Sequence, residues 1–309
     1  MLDFSNSYTV VELEKNGFKM LHRTNIINPY QTPYYLSLHY ENAEKFGTDL
    51  SDALIHQLKI KGCNQRRCFR KNLREYLLEN SDWDIQSFVK FLEEKVEKLQ
   101  EQQEWTDDGK RNVEEVDKIV QILEPYAGLG SFHLKQSERD NRNKRKKLTI
   151  IQLSDFPKSH RKFMAELLST LTWKEAFNRK GTTEGTEKPS WDLVAMDEFQ
   201  FMSLEDESAL SNILRQGRKF GMSLLLSTQF IEGYSSEEVQ TLLQANNKLI
   251  FKPTEKGLRA AAKIISETET AQWRELLSGL KVGEAVLKGS YFVGEGTCSQ
   301  TKPFVCIIE

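Results

Sequence analysis

Short apolar runs alternate with amphipathic stretches in the second half of the chain. The runs at Leu148–Leu153, Leu193–Met196 and Ser223–Ser227 have the length and composition of strands covered on both faces. Between them, Arg161–Phe177 and Ser208–Gln216 are predicted helices. This strand–helix–strand–helix–strand order predicts an α/β fold whose mainly parallel sheet has right-handed crossovers and helices on both faces.

The first 147 residues mix short strands with helices. Residues 1–40 are rich in Tyr, Thr, Val and Asn and predict strands and turns, whereas the leucine spacing over residues 49–80 predicts two helices interrupted at Gly62. Residues 81–130 predict a small helical insertion, because two charged stretches each carry one apolar stripe. The stripes either pack into the core or form a groove for a partner.

The tail predicts an added edge hairpin. Its expected elements are strands at Leu249–Lys252 and Ala285–Leu287, a turn at Lys288–Ser290, and strands at Tyr291–Val293 and Phe304–Ile308. The whole chain therefore divides into the first part of a core (residues 1–80), an insertion with a basic segment (81–147) and the second part of the core (148–309).

The composition indicates in which cellular compartment the protein is expected. Hydrophobic residues make up 39% of the chain and charged residues 28%, and no apolar run is long enough to span a membrane. The start has neither part of a secretory signal, and the 4 cysteines form no C-x-x-C pair, so a cytoplasmic protein with reduced thiols is expected.

Charge is spread unevenly along the sequence. The formal net charge is −2, yet Lys135–Lys147 has a local excess of +5, from seven basic residues against Glu138 and Asp140. Such a run is a solvated loop or a contact for nucleic-acid phosphates. The candidates for DNA contact are Lys144, Arg145, Lys146 and Lys147.

Candidate chemistry lies where two of the predicted strands end. Asp197 and Glu198 follow one apolar strand, and Ser227-Thr228-Gln229 close the next. Parallel strands present their carboxyl ends at one edge, where ligands collect. Asp197 is the candidate for binding Mg²⁺ through water, Glu198 for the general base, and Gln229 for orienting water or sensing a γ-phosphate. Thr228 is a further candidate for nucleotide contact, and a helix N-cap is the alternative role for the acidic pair.

The phosphate-binding partner motif G-x-x-x-x-G-K-[ST] does not occur in the sequence. The one Gly-Lys step is Gly109-Lys110, which is followed by Arg111. Arg215 and Arg218 precede the S-T-Q strand and are candidates for reaching a neighbouring subunit's nucleotide. Their alternative role is surface solubility or an ion pair with Glu205 or Glu207.

These blocks together resemble the HerA/FtsK superfamily of ring ATPases. The resemblance rests on L-V-A-M-D-E-F, on G-R-K-F-G-M-S-L-L-L-S-T-Q and on L-K-V-G-E-A-V-L-K-G, and it covers most of the chain outside residues 81–147. It implies a RecA-like fold, ATP and Mg²⁺ as cofactors, a hexameric ring and DNA as partner. Asp197 and Glu198 match the family's Walker B pair, Gln229 its sensor, and Arg218 a trans-acting arginine.

The resemblance also implies a missing part. In the family the phosphate loop precedes the strand that Asp3 and Tyr8 match, so this chain is expected to be inactive alone and to need an upstream Walker A-bearing segment or chain. Two other functions stay open: an inactive scaffold or DNA-binding subunit of such a ring, and a conjugation- or secretion-type ATPase. Without the missing strand and helix, an exposed sheet edge or apolar face is expected.

Overall fold

The computed structural model describes residues 1–5, 7–15, 24–101, 107–128, 132–137, 148–180, 192–230, 234–293 and 297–308. The chain divides into two compact units, of which the first comprises Met1–Asp197 with Phe220–Met222 and the second Glu198–Lys219 with Ser223–Glu309. The predicted boundaries at residues 80 and 147 stay predictions.

The first unit contains seven described strands. They are β1 (Leu2–Asp3), β2 (Thr24–Ile27), β3 (Tyr34–His39), β4 (Asp82–Trp83), β5 (Phe132–Ser137), β6 (Leu148–Gln152) and β7 (Asp192–Met196). The main sheet has the order β2-β6-β1-β7, and β8 (Met222–Leu226), whose first residue belongs to this unit, follows β7 at the end of the sheet. The mainly parallel α/β sheet predicted from the sequence is therefore confirmed.

β1 holds the start of the chain in the middle of this sheet. Leu2 lies opposite Ile151 of β6 on one side and Met196 of β7 on the other. The amides of Ile151 and Leu153 donate to the carbonyls of Met1 and Asp3 over 2.9 and 2.8 Å, and the amide of Asp197 donates to the Leu2 carbonyl over 3.2 Å. The carboxyl ends of β1 and β7 consequently meet at one edge, where Asp3 ends β1 and Asp197 directly follows β7.

Six helices of the first unit are described. They are α1 (Val10–Lys15), α2 (Ala43–Gln57), α3 (Cys63–Glu79), α4 (Ile85–Glu101), α5 (Asp107–Leu123) and α6 (Lys158–Lys180). α5 packs on both α3 and α4, and Phe88, Leu92 and Ile119 are fully buried between them. The apolar stripes of the predicted insertion are thus core. The first unit also contains a small second sheet, which the sequence did not predict. In it β5 pairs in parallel with β3 and antiparallel with β4.

The second unit adds an antiparallel sheet backed by helices. Its elements are α7 (Ala209–Gln216), α8 (Ser236–Leu243), β9 (Lys248–Phe251), α9 (Leu258–Ile265), α10 (Thr270–Gly279), β10 (Glu284–Val293) and β11 (Thr297–Ile307), besides the rest of β8. The strand order is β11-β10-β9. Apolar residues of α9, α10 and β10 form one core, among them Ala261, Leu277 and Val286. The predicted hairpin is confirmed, whereas α8, α9 and α10 were not predicted.

The predicted turn at Lys288–Ser290 is wrong. β10 runs through these residues, and its register with β11 shifts between Leu287 and Gly289 as at a β-bulge. Gly289 has φ +141°, and a Cβ there would come within 2.5 Å of the Asn246 carbonyl. The Asn247 side chain accepts from the Ser290 amide over 2.7 Å. Glycine is needed at position 289 because Asn246 and Asn247 approach the strand closely there. The sequence pattern predicts a turn at this glycine, although it lies within a strand.

Candidate functional site

Asp197 ends β7 beside a second, buried carboxylate. Asp3 is fully buried and accepts from the amides of Ser5 and Tyr8 over 3.1 and 3.2 Å. The Ser5 hydroxyl stands between the two acids, 3.2 Å from Asp3 Oδ1 and 3.1 Å from Asp197 Oδ2. Burial, followed by the charges of Asp197 and Asp3, raises the pKa of Tyr8. A compact acidic group therefore lies at the carboxyl ends of β1 and β7.

Glu198 is the next residue and begins the second unit. It adopts a left-handed backbone conformation, with φ 58° and ψ 45°, which costs a non-glycine residue about 1–2 kcal/mol. It precedes the 3₁₀ turn Phe199–Phe201, but its side chain does not cap that turn. The helix-cap alternative is therefore not what the structure shows. Backbone strain of this kind is characteristic of positions where the surrounding structure holds a functional side chain.

Amide side chains bind both carboxylate oxygens of Glu198. Gln229 Nε2 donates to Oε1 over 2.6 Å, and Gln200 Nε2 donates to Oε2. The Thr228 hydroxyl lies 2.6 Å from Gln200 Oε1. The structure thus brings together three side chains that the sequence singled out, Glu198, Thr228 and Gln229, and adds Gln200 to them.

The turn that carries Gln200 is firmly anchored. Phe199 is 4% exposed, its ring stacks on Tyr234 at 5.9 Å, and its amide donates to the Ser227 carbonyl over 3.0 Å. The Tyr234 hydroxyl donates to the Phe199 carbonyl over 3.2 Å, and burial together with Glu238 raises the pKa of Tyr234. Glu198 and Gln200 therefore project from a rigid segment.

The two candidate arginines differ in their surroundings. Arg215, at the end of α7, forms an ion pair with Asp206. The sequence offered Glu205 or Glu207 as partners of such a pair, so the ion pair is present but its acid was wrongly predicted. Arg218 lies in the 3₁₀ segment Gly217–Phe220 and is exposed. Of the two, Arg218 is the better placed to reach another molecule.

Other predicted features lie partly or wholly outside the described residues. The DNA-contact candidates Lys144, Arg145, Lys146 and Lys147 belong to this group. In the part of the chain that the structure describes, no helix is long and apolar enough to cross a membrane. Cys63, Cys68 and Cys306 are free thiols.

Comparison with known proteins finds one similar sequence and several similar folds. No protein-family model matches the sequence. The DNA double-strand break repair helicase HerA of Sulfolobus acidocaldarius is 24% identical over 274 residues, 86% of this chain and 53% of that protein. Among solved structures, the plasmid coupling protein TrwB bound to the ATP analogue ADPNP matches with a TM-score of 0.58 and 11% identity, covering 94% of this chain and 75% of TrwB. TrwB with ADP and Mg²⁺ gives 0.55, covering 94% and 74%.

The chain is similar in sequence to a HerA helicase and in fold to TrwB, in agreement with its resemblance to the HerA/FtsK superfamily. It spans about half the length of the curated HerA that it matches. The prediction from the sequence missed two site residues, Gln200 and Ser5. Ser5 lies two positions after Asp3, the last residue of β1, and Gln200 lies two positions after Glu198.

Proposed function

We propose that this HerA/FtsK-like chain hydrolyses ATP as the motor part of a DNA translocase or helicase. The hydrogen bond between Glu198 and Gln229 carries the proposal, because it unites a general-base candidate with a water-orienting amide where two strands end. The relatives support it: HerA is described as a DNA double-strand break repair helicase, and TrwB, a plasmid coupling protein, has been solved with nucleotides.

In this proposal each side chain has one task. Glu198 accepts the proton of the attacking water, and Gln229 orients that water or contacts the γ-phosphate. Thr228 lies beside them as a further nucleotide-contact candidate. Arg218 stabilises negative charge on the nucleotide of a neighbouring subunit in a ring, for which we propose six copies, with Arg215 as a second candidate.

The donor set at Asp197 fits Mg²⁺ held mainly by water and phosphate. No group of three or more metal-binding side chains occurs among the described residues, whereas Mg²⁺ in phosphate-transfer sites is bound by one or two carboxylates and keeps several waters. Asp197, oriented by the Ser5 hydroxyl, would hold the hydrated ion. When bound, Mg²⁺ neutralises charge on the phosphate oxygens.

The phosphate loop has to come from elsewhere in this proposal, since the sequence contains no G-x-x-x-x-G-K-[ST]. We propose that a separate polypeptide or an upstream segment supplies it. The same observation favours a second candidate function, an inactive scaffold or DNA-binding subunit that donates Arg218 to a competent neighbour. A conjugation- or secretion-type ATPase would share all of these core residues.

The test joins the chain to a loop-bearing segment of a relative and measures ATP binding and hydrolysis separately. Glu198→Gln should keep ATP binding and lower kcat by at least about 100-fold, because the general base is lost. Glu205→Gln, an exposed acid of the same unit, is the matched control and should change neither. Hydrolysis that persists in Glu198→Gln would falsify the assigned base, and ATP binding without any turnover would favour the scaffold.

A further inference from the structure

We infer that Gln200 and Thr228 form a positioning pair that fixes the orientation of the Glu198 carboxylate. The inference rests on the proposed function for its catalytic meaning, but its geometry stands by itself. Gln200 donates to Glu198 Oε2 while Thr228 lies 2.6 Å from Gln200 Oε1. Neither residue needs to touch the nucleotide for this role.

The direction of the hydrogen bonds follows from counting protons. A glutamine amide has one accepting oxygen and one donating NH₂ group, and an ionised carboxylate only accepts. Gln200 therefore turns its NH₂ to Glu198 and its oxygen to Thr228, whose hydroxyl must donate. That hydroxyl also lies 2.8 Å from the Phe230 carbonyl, an alternative acceptor for its single proton. The charge of Glu198 selects the donation to Gln200, because a reversed amide would set two oxygens against each other.

The pair differs from Gln229 in what it can do during a reaction. Gln229 is exposed and binds Oε1, and its second amide proton and its oxygen face a part of the site that a water or a phosphate could enter. Gln200 is half-buried, sits on the anchored Phe199 turn and binds the other oxygen, Oε2. If Gln229 moves during the reaction, Gln200 still keeps the carboxylate from rotating. A base held in this way is preorganised by its supporting residues.

The first test needs no turnover. In the full chain labelled with ¹⁵N-glutamine, Gln200→Leu identifies the Gln200 side-chain amide signals by their loss. Thr228→Val and Glu198→Gln should each move these signals towards the position of a solvent-exposed glutamine amide, and Thr228→Ser should restore them because it returns the hydroxyl. Gln244→Leu, at an exposed position at the end of α8, is the matched control. If neither Thr228→Val nor Glu198→Gln shifts the Gln200 signals, the inferred positioning pair is wrong.

The second test uses the loop-joined protein described above. Gln200→Leu and Thr228→Val should lower kcat about tenfold to a hundredfold, the size expected for a misplaced group, while KM for ATP stays within about twofold. Thr228→Ser should recover most of the rate. A rise in KM with unchanged kcat would show nucleotide contact instead of positioning. Absence of turnover in the unsubstituted protein would contradict the proposed function. The NMR spectra of the first test would still show whether Gln200 and Thr228 form the positioning pair.

Discussion

The amide of Gln229 donates to Oε1 of Glu198 over 2.6 Å, although 31 positions separate the two residues in the sequence. A carboxylate at position 229 would face Glu198 with like charge. Gln229→Glu should therefore lower the free energy of unfolding by up to about 1 kcal/mol relative to Gln229→Leu at low salt, with a smaller gap at 1 M salt because the site is partly exposed. Urea unfolding of both variants measures this difference in the free energy of unfolding. Equal stabilities of the two variants would contradict the contact between Gln229 and Glu198.

Asp3 is the buried acid on which the end of β1 depends. Asp3→Ala removes the acceptor of two backbone amides and should lower the free energy of unfolding by about 3 kcal/mol, because buried donors lose their partner. Urea unfolding is again the measurement. Asp206→Ala, at a side chain that is 76% exposed, is the control and should cost under about 0.5 kcal/mol. A loss as small as that of the control would contradict the role of Asp3.

Exposed apolar residues on two sheet-end strands predict self-association. Leu225 of β8 is 59% exposed and Phe251 of β9 is 49% exposed. Leu225→Lys and Phe251→Lys should each shift the chain towards monomer, because a charge on an edge strand opposes pairing. Val282→Lys, at an exposed turn residue, should change nothing. Sedimentation velocity over a concentration series decides between these outcomes.

The basic segment predicts a salt-dependent affinity for DNA. If Lys144, Arg145, Lys146 and Lys147 contact phosphates, the logarithm of the affinity should fall with the logarithm of salt by about 0.9 per contact. Reversing all four charges to Glu should then weaken binding and flatten that slope. Fluorescence anisotropy with duplex DNA at several salt concentrations provides the measurement. An unchanged affinity would remove the segment from the DNA interface.

Local patterns predicted the strands that carry the candidate chemistry. β7 and β8 are short, mainly apolar runs followed by polar residues, so their positions could be inferred without coordinates. The pairing of β5 with β3 could not, because it joins residues that lie nearly a hundred positions apart in the sequence and depends on packing that no local period records. Gln200 was missed for the same reason, since its importance depends on the side chains it meets.

The brevity of β1 has a kinetic consequence. The amides of Ile151, Leu153 and Asp197 are all bonded to carbonyls of the first three residues. Their hydrogen exchange with deuterated solvent should therefore be limited by a shared opening event, the separation of β1 from β6 and β7. Similar protection factors at these three positions, which decrease together in mild denaturant, would show that β1 stabilises both neighbouring strands in one cooperative step.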